Sequence, residues 1–220
     1  MSQPIIRQIK VGAFQVFTYV VACPETRKAV VIDPAGEEER LLSLIREGAF
    51  LIEYILDTHG HADHVLANER LKKVLAVPTC MHELDIQFFS QKEVRDLTAK
   101  ELGLQPPNPV DMPLRDGDLL KVGALEIKVI HTPGHTPGSV CYFTEGNLFT
   151  GDTLFVGAAG RTDLTGGSLE TLIDSIENRI LTLPRETILW PGHDYGDTPT
   201  STLGREMEEN PYITDFILDQ

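Results

Sequence analysis

A chain of 220 residues with 41% hydrophobic content can build a substantial core, and it is read as one domain over residues 1–220. Its 33 acidic against 19 basic residues give a net charge of −14, which argues against nucleic acid as a partner, because phosphate binding draws on clustered Lys and Arg. No run suits a bilayer span or a signal peptide, and Cys23, Cys80 and Cys141 are widely spaced and odd in number, so the chain reads as cytoplasmic, with reduced buried thiols and no membrane partner.

Strand-like runs open the chain at Ile5–Val11, Phe14–Ala22 and Lys28–Asp33. A helix follows over Glu37–Glu47, with Leu41, Leu44 and Ile45 on one face. The apolar run Leu51–Leu56 reads as a strand. A helix is expected over His64–Leu75, with Val65, Leu66, Leu71, Val74 and Leu75 as its apolar positions. Met81–Leu102 also reads as helical and is ended by Pro106, Pro107 and Pro109. Strands are expected at Leu119–Val122, Leu125–Ile130, Val140–Thr144 and Asn147–Thr150. Ser168–Leu181 reads as a helix with Ser168 as N-cap and Ile173, Ile176 and Ile180 inward. The last strand is Thr187–Trp190, and a short helix covers Leu203–Glu209. Strand clusters alternating with helices, in two halves, fit two packed sheets with helices outside.

The chemistry concentrates in Thr-His-Gly-His-Ala-Asp-His (58–64), directly after Leu51–Leu56. His59 and His61 are two apart, so in extended backbone both leave the same face. Asp63 and His64 then point elsewhere as the chain turns, and one loop could serve two neighbouring metal ions. Three later strand ends supply partners: His135 in Thr-Pro-Gly-His-Thr-Pro-Gly (132–138), Asp152 in Thr-Gly-Asp-Thr (150–153), and His193 in Pro-Gly-His-Asp (191–194). Rigid strands with ligands on the loops at one edge are a common way to hold such a constellation. His131 reads as a packing or hydrogen-bonding residue at a strand end, and His82 as a surface or helix-start residue. Arg161 and Asp163 read as a structural salt bridge, with substrate contact by Arg161 as the alternative. The stretch Gly157–Gly167 lacks the Gly-Lys-Ser/Thr ending of a phosphate loop and reads as a mobile loop beside the site.

The order His-x-His-x-Asp-His, then His, Asp and His, resembles the metallo-β-lactamase superfamily, and within it the short single-domain glyoxalase II-like (hydroxyacylglutathione hydrolase-like) enzymes. Supporting strings are Val-Ile-Asp-Pro (31–34), His-Thr-Pro-Gly-His-Thr-Pro-Gly (131–138), Thr-Gly-Asp-Thr-Leu-Phe (150–155), Gly-Arg-Thr-Asp (160–163) and Pro-Gly-His-Asp-Tyr-Gly (191–196). The resemblance implies an α/β fold, an αββα sandwich with the metal site at one edge. It implies His59, His61 and His135 on one divalent ion, Asp63, His64 and His193 on a second, and Asp152 bridging the two. Asp33 would support the site from behind; its alternative is a turn aspartate before Pro34. Imidazole and carboxylate donors suit Zn, Fe or Mn. Asp152 stands where β-lactamases with a cysteine ligand place that cysteine, which argues against antibiotic hydrolysis. His61 stands where flavo-diiron proteins of this fold use a glutamate, which argues against that branch.

The activity so implied is thioester hydrolysis, with S-D-lactoylglutathione or a related acyl-thiol as substrate. A metal ion can lower the pKa of bound water to about 7, and Asp63 would orient this nucleophile and take up its proton. A thiol, with a pKa near ~8.5, leaves with little acid assistance. One departure concerns the thiol: 27 residues follow His193, with Arg205 their single basic residue, where full-length glyoxalase II enzymes carry a basic helical region. The alternative enzyme is a glutathione persulfide dioxygenase with one iron on His59, His135 and Asp152, a facial triad. A third reading is a metal-binding partner domain without turnover.

Overall fold

The computed structural model describes residues 3–104 and 110–218; the helix-ending prolines Pro106, Pro107 and Pro109 lie outside the described residues. The first sheet runs in spatial order β1 (Ile5–Val11), β2 (Val16–Ala22), β3 (Lys28–Ile32), β4 (Leu51–Leu56), β5 (Thr79–His82) and β6 (Met112–Leu114). Its first three strands pair antiparallel and the rest parallel. Parallel neighbours need a crossover. Here α1 (Glu38–Glu47) links β3 to β4, and α2 (Asn68–Leu75) links β4 to β5. The pair α3 (Glu83–Ser90) and α4 (Lys92–Leu102) precedes β6.

The second sheet is built from β7 (Leu119–Val122), β8 (Leu125–His131), β9 (Val140–Thr144) and β10 (Asn147–Gly151). After the small hairpin of β11 (Leu154–Phe155) and β12 (Ala158–Ala159), α5 (Leu169–Ser175) continues as one π turn over Ile176–Ile180. Then β13 (Ile188–Pro191) joins β10 in parallel, and β14 (Ser201–Thr202) closes the sheet edge. The chain finishes with α6 (Leu203–Glu209), α7 (Pro211–Ile213) and a turn over Thr214–Leu218.

Three apolar clusters show the layering. One fills the space between the sheets, with Phe17, Tyr19 and Ile32 meeting Ile127, Tyr142 and Phe149. A second lies between the first sheet and α1 and α2, where Val20, Val31 and Ile55 meet Leu41, Ile45 and Leu71. The third seats α5 and α6 on the second sheet through Leu148, Leu189, Leu172 and Leu203. This is the αββα sandwich. All seven residues of β2 are buried because both its faces are covered, whereas β8 alternates buried Leu125, Ile127 and Val129 with exposed Glu126 and Lys128. Tyr142 and Phe149 are fully buried at the centre, where truncation to alanine typically costs about 3–5 kcal/mol. All three cysteines are buried free thiols, as expected. Among the described residues no helix is long and apolar enough to cross a membrane.

The structure corrects several sequence expectations. Met81 and His82 belong to a strand, β5, and the helix expected up to Leu102 is two helices broken at Gln91, whose backbone is extended. The short β6 carries Pro113, which its edge position tolerates because one side of an edge strand makes no ladder bonds. The helix expected from His64 starts as a 3-10 turn over Ala62–His64 and becomes α-helical only at Asn68, leaving Leu66 and Val74 exposed. In α5 it is Leu172, beside Ile176 and Ile180, that is fully buried, and Ile173 is half-buried. Ser168 does cap that helix, its Oγ accepting from the Thr171 N–H at 3.3 Å.

Candidate metal centre

The side chains expected to bind metal come together at one edge of the sandwich. The loop after β4 carries His59, His61, Asp63 and His64; the loop after β8 carries His135; Asp152 follows β10 and His193 follows β13. All seven are nearly buried, with Asp152 the most open. Their donor atoms form tight groups: His59, His61 and His135 in one, Asp63, His64 and His193 in another, and His59, His64 and Asp152 in a third.

Four of the five imidazoles, those of His59, His64, His135 and His193, are held from behind so that a chosen nitrogen faces the cluster. His193 and His135 each direct Nδ1 at a backbone carbonyl, of Phe14 at 2.7 Å and of Arg161 at 2.7 Å. His59 Nδ1 lies 3.1 Å from Thr58 Oγ1. His64 Nδ1 lies 3.0 Å from Asp33 Oδ2, and Asp33 also accepts from the Thr58 N–H and hydroxyl, each at 2.7 Å. Asp33 is therefore a support of the cluster. It occupies left-handed backbone at φ 46°, a conformation unusual for a non-glycine residue and often found at functional sites. Such rear contacts fix tautomer and ring orientation in metal sites.

The inward nitrogens crowd. His61 Nδ1 and His135 Nε2 are 2.9 Å apart, and His64 Nε2 and His193 Nε2 are 3.2 Å apart. Two nitrogens on one tetrahedral ion at zinc–nitrogen distance sit roughly 3.3 Å apart. Asp152 reaches both groups: its Oδ1 lies 3.3 Å from His64 Nε2, and its Oδ2 lies 3.5 Å from His135 Nε2 and 3.3 Å from His193 Nε2.

Whether a cation fits can be judged from the unpaired atoms. Of eight buried side-chain atoms without a hydrogen-bond partner among the described residues, four belong to this cluster: His59 Nε2, His61 Nε2, Asp63 Oδ1 and Asp152 Oδ1. Leaving polar atoms unpaired in one place is costly for a native interior, and cations held by this cluster would offset much of that cost. The electrostatics divide the rings: against the pull of burial, Asp152 and Asp63 raise His64 well above the usual histidine range. Burial and the neighbouring imidazoles push His59 and His61 well below the usual histidine range, and burial lowers His135, so these rings are in the neutral, ligating form. Against the pull of burial, His193 and His64 hold Asp152 well below the usual carboxylate range.

A cavity of about 220 Å³ opens onto His61, Asp63, His135, Asp152 and His193. Its other walls are mostly apolar, including Phe14, Leu102, Phe155 and Leu164, with Arg161 and Tyr195 at the side. Tyr195 stacks on His193 at 4.5 Å between ring centroids. A second, more open cavity of about 430 Å³ abuts the first across Arg161, walled by Leu169, Pro211, Tyr212 and Phe216. Arg161 forms the expected pair with Asp163, through two contacts of 2.8 Å, and also lines both cavities. The 157–167 stretch flanks the site as expected, though Ala158–Ala159 is a strand within it.

His82 and His131 stay out of the cluster. Their rings stack at 4.2 Å and 7°. His131 Nε2 lies 2.9 Å from the Pro137 carbonyl, and His82 Nδ1 accepts from the Leu84 N–H, which caps α3. His82 is at a helix start as expected, but buried rather than on the surface. Burial and the facing His131 push its pKa down to about 4. The unfolded chain therefore takes up a proton on this residue near pH ~6.5 while the folded chain does not, so stability falls as pH drops from there towards 4. Between pH 7 and 5 this residue should remove about 2 kcal/mol, and His82→Asn, which retains a capping side chain, should lose correspondingly less. Urea unfolding of both proteins at the two pH values measures the difference; parallel losses would refute the assignment.

Sequence reading missed Asp85 and Asp57. Asp85 is buried against the ligand loops, and Asp57, beside Thr58, accepts from Asn68 Nδ2 at 2.8 Å. Neither has a local signature, because an acid in the first turn of a helix or at a strand end is normally solvated.

A two-sheet sandwich with buried histidine and aspartate at one edge is the frame of a metal-dependent enzyme. The sequence profile of the metallo-β-lactamase superfamily matches residues 11–193, and the chain belongs to that superfamily. The human mitochondrial persulfide dioxygenase ETHE1 is 32% identical over 96% of this chain and 76% of its own length. Among solved structures, the BLEG-1 B3 metallo-β-lactamase is 34% identical with a TM-score of 0.86, covering 96% of this chain and all of that one. TTHA1623, solved in a di-iron-bound form, is 37% identical with a TM-score of 0.80, covering 94% of this chain and 99% of that one.

Proposed function

We propose that the protein is a thioester hydrolase with two divalent ions, one held by His59, His61 and His135, the other by Asp63, His64 and His193, with Asp152 shared. The observation that carries the metal assignment is the convergence of two three-residue groups on one carboxylate, with buried His59 Nε2, His61 Nε2 and Asp63 Oδ1 lacking a hydrogen-bond partner among the described residues. The di-iron form of a relative supports it. Bound by these residues, two such ions would supply a hydroxide nucleophile near neutral pH and would polarise a carbonyl.

The chain's own residues do the rest. Asp63 brings Oδ2 to 3.9 Å from both His64 Nε2 and His193 Nε2 and keeps a buried, unpaired Oδ1, and it orients the attacking water and takes up its proton. Phe14, Phe155 and Tyr195 form walls that keep bulk water from the scissile bond. Among the described residues outside the His/Asp cluster, only Arg161 and Tyr195 bring polar side chains to that cavity. This favours a leaving group that needs little protonation, and a thiolate is one. S-D-lactoylglutathione is the first substrate to test, with simpler acyl thioesters beside it.

The persulfide dioxygenase relative supports a second reading, in which His59, His135 and Asp152 hold a single iron. The two are separated on the same zinc-loaded and iron-loaded preparations. With a thioester, free thiol should appear without oxygen consumption; with glutathione persulfide, oxygen uptake should be slight. Brisk uptake alongside negligible thiol release would replace the hydrolase with the dioxygenase. A cephalosporin is the third arm, because a solved relative is a β-lactamase. Rapid ring opening without thioester turnover would reassign the substrate class.

A further inference from the structure

We infer that Asp85 is a positioning residue for the His59/His61/His135 group, a carboxylate that fastens the two ligand loops of the two sheets to each other. It sits in the first turn of α3, fully buried. Its Oδ2 accepts from the Gly60 N–H at 2.9 Å and from Thr136 Oγ1 at 2.8 Å, and its Oδ1 accepts from the Gly138 N–H at 2.6 Å. Gly60 stands between His59 and His61 on the loop of the first sheet. Thr136 follows His135 on the loop of the second. One side chain from a third element thus sets the spacing between the loops, across which His61 Nδ1 and His135 Nε2 approach to 2.9 Å.

The same helix fits flush against both loops. A Cβ on Gly138 would lie 2.4 Å from the Asp85 nitrogen, and one on Gly60 would lie 2.2 Å from the Phe89 ring. Phe89, one turn after Asp85, meets the His61 ring edge-on at 5.6 Å. The helix therefore reaches the backbone just before His61 and also its ring.

The choice of a carboxylate is itself informative. Its three contacts are neutral donors, and burial pushes the Asp85 carboxyl up to about 6 while those hydrogen bonds pull it down. A buried acid without a cation beside it is an expensive way to fill space. Three donors converging on two oxygens need an acceptor-only group, which asparagine is not. Asp33 holds His64 in the other group by direct contact with its ring, whereas Asp85 acts through the loop residues beside the ligands. Asp85 is its counterpart on the opposite side.

The inference rests on the metal-centre reading and not on the thioester assignment. Its test is cobalt(II) titration of the metal-free full-length protein, followed by visible absorption and by competition with a chromophoric chelator. Asp85→Asn should weaken one of the two cobalt sites by about 10–100-fold and shift its absorption bands, the usual scale for losing a group that orients ligands. The other site should keep its affinity. Thr136→Val removes one of the three donors at similar volume, and it should weaken the same site to a lesser degree even if Asp85→Asn does not fold. A lowered melting temperature with wild-type cobalt affinities and spectra would make Asp85 a purely structural residue and overturn the inference. So would a Thr136→Val protein with unchanged cobalt binding. A wild-type chain that takes up no cobalt would instead overturn the metal centre on which it rests.

Discussion

Asp152→Ala should release both metal ions and abolish turnover, whereas His193→Ala should release mainly the ion assigned to Asp63, His64 and His193. The difference follows from the carboxylate's position. Asp152 Oδ1 lies 3.3 Å from His64 Nε2, while Oδ2 lies 3.3 Å from His193 Nε2 and 3.5 Å from His135 Nε2. No other carboxylate among the described residues makes such contacts with both histidine groups. Removing it leaves the His59/His61/His135 group with neutral donors alone and deprives the other of one of its two negative charges. Activity on a thioester should fall at least about 100-fold, the scale for losing one strong electrostatic group at a reacting centre. Elemental analysis should find nearly two ions in the unaltered protein, close to none in Asp152→Ala, about one in His193→Ala and two in His82→Asn. An Asp152→Ala protein with near-full metal and activity would show that the carboxylate is not shared.

The metal cluster was legible in the sequence because its chemistry is local. Four imidazole and carboxylate donors fall within 59–64, and His135 and His193 stand in loops framed by Gly and Pro after apolar runs. The family resemblance extended this to the αββα frame. What was not legible depends on pairing between distant segments. Thr79–His82 is a strand because Leu56 and Leu114 flank it in parallel register. Four residues ahead of a helical pattern carry no such information, so Met81 and His82 were drawn into the helix. Met112–Leu114, broken by Pro113, reads as no strand at all until it is found at a sheet edge. Asp85 was hidden for a different reason: its three donors are 25, 51 and 53 residues away, on loops that only the completed sandwich brings together.

Gly134→Ala should be among the most destabilising single substitutions in this chain, although it adds one methyl group three residues after a strand. Gly134 has φ +137°, a conformation that L side chains rarely adopt, at a cost of about 1–3 kcal/mol. Its Cβ would stand 2.4 Å from both Cα and N of Leu172, main-chain atoms of α5 that no rotamer change can move. Leu172 is itself fully buried, and the Ser168 N–H at the start of that helix donates to the Gly134 carbonyl at 2.8 Å. Relief therefore requires shifting α5 or twisting the loop that carries His135, and such overpacking adds about 1–3 kcal/mol or more. A total near 4 kcal/mol would consume much of the ~5–15 kcal/mol that holds a typical domain folded. At about 2–4 °C per kcal/mol, the melting temperature should fall by about 10 °C, with metal lost from the displaced His135. Gly146 is the control: it too has positive φ, at +76°, in the tight turn between β9 and β10, but a Cβ there meets nothing within 4 Å. Gly146→Ala should cost only the backbone term, about 1–2 kcal/mol, and leave metal content intact. Thermal melts of the two variants side by side decide the matter, since equal losses would mean that the contact between Gly134 and α5 contributes nothing.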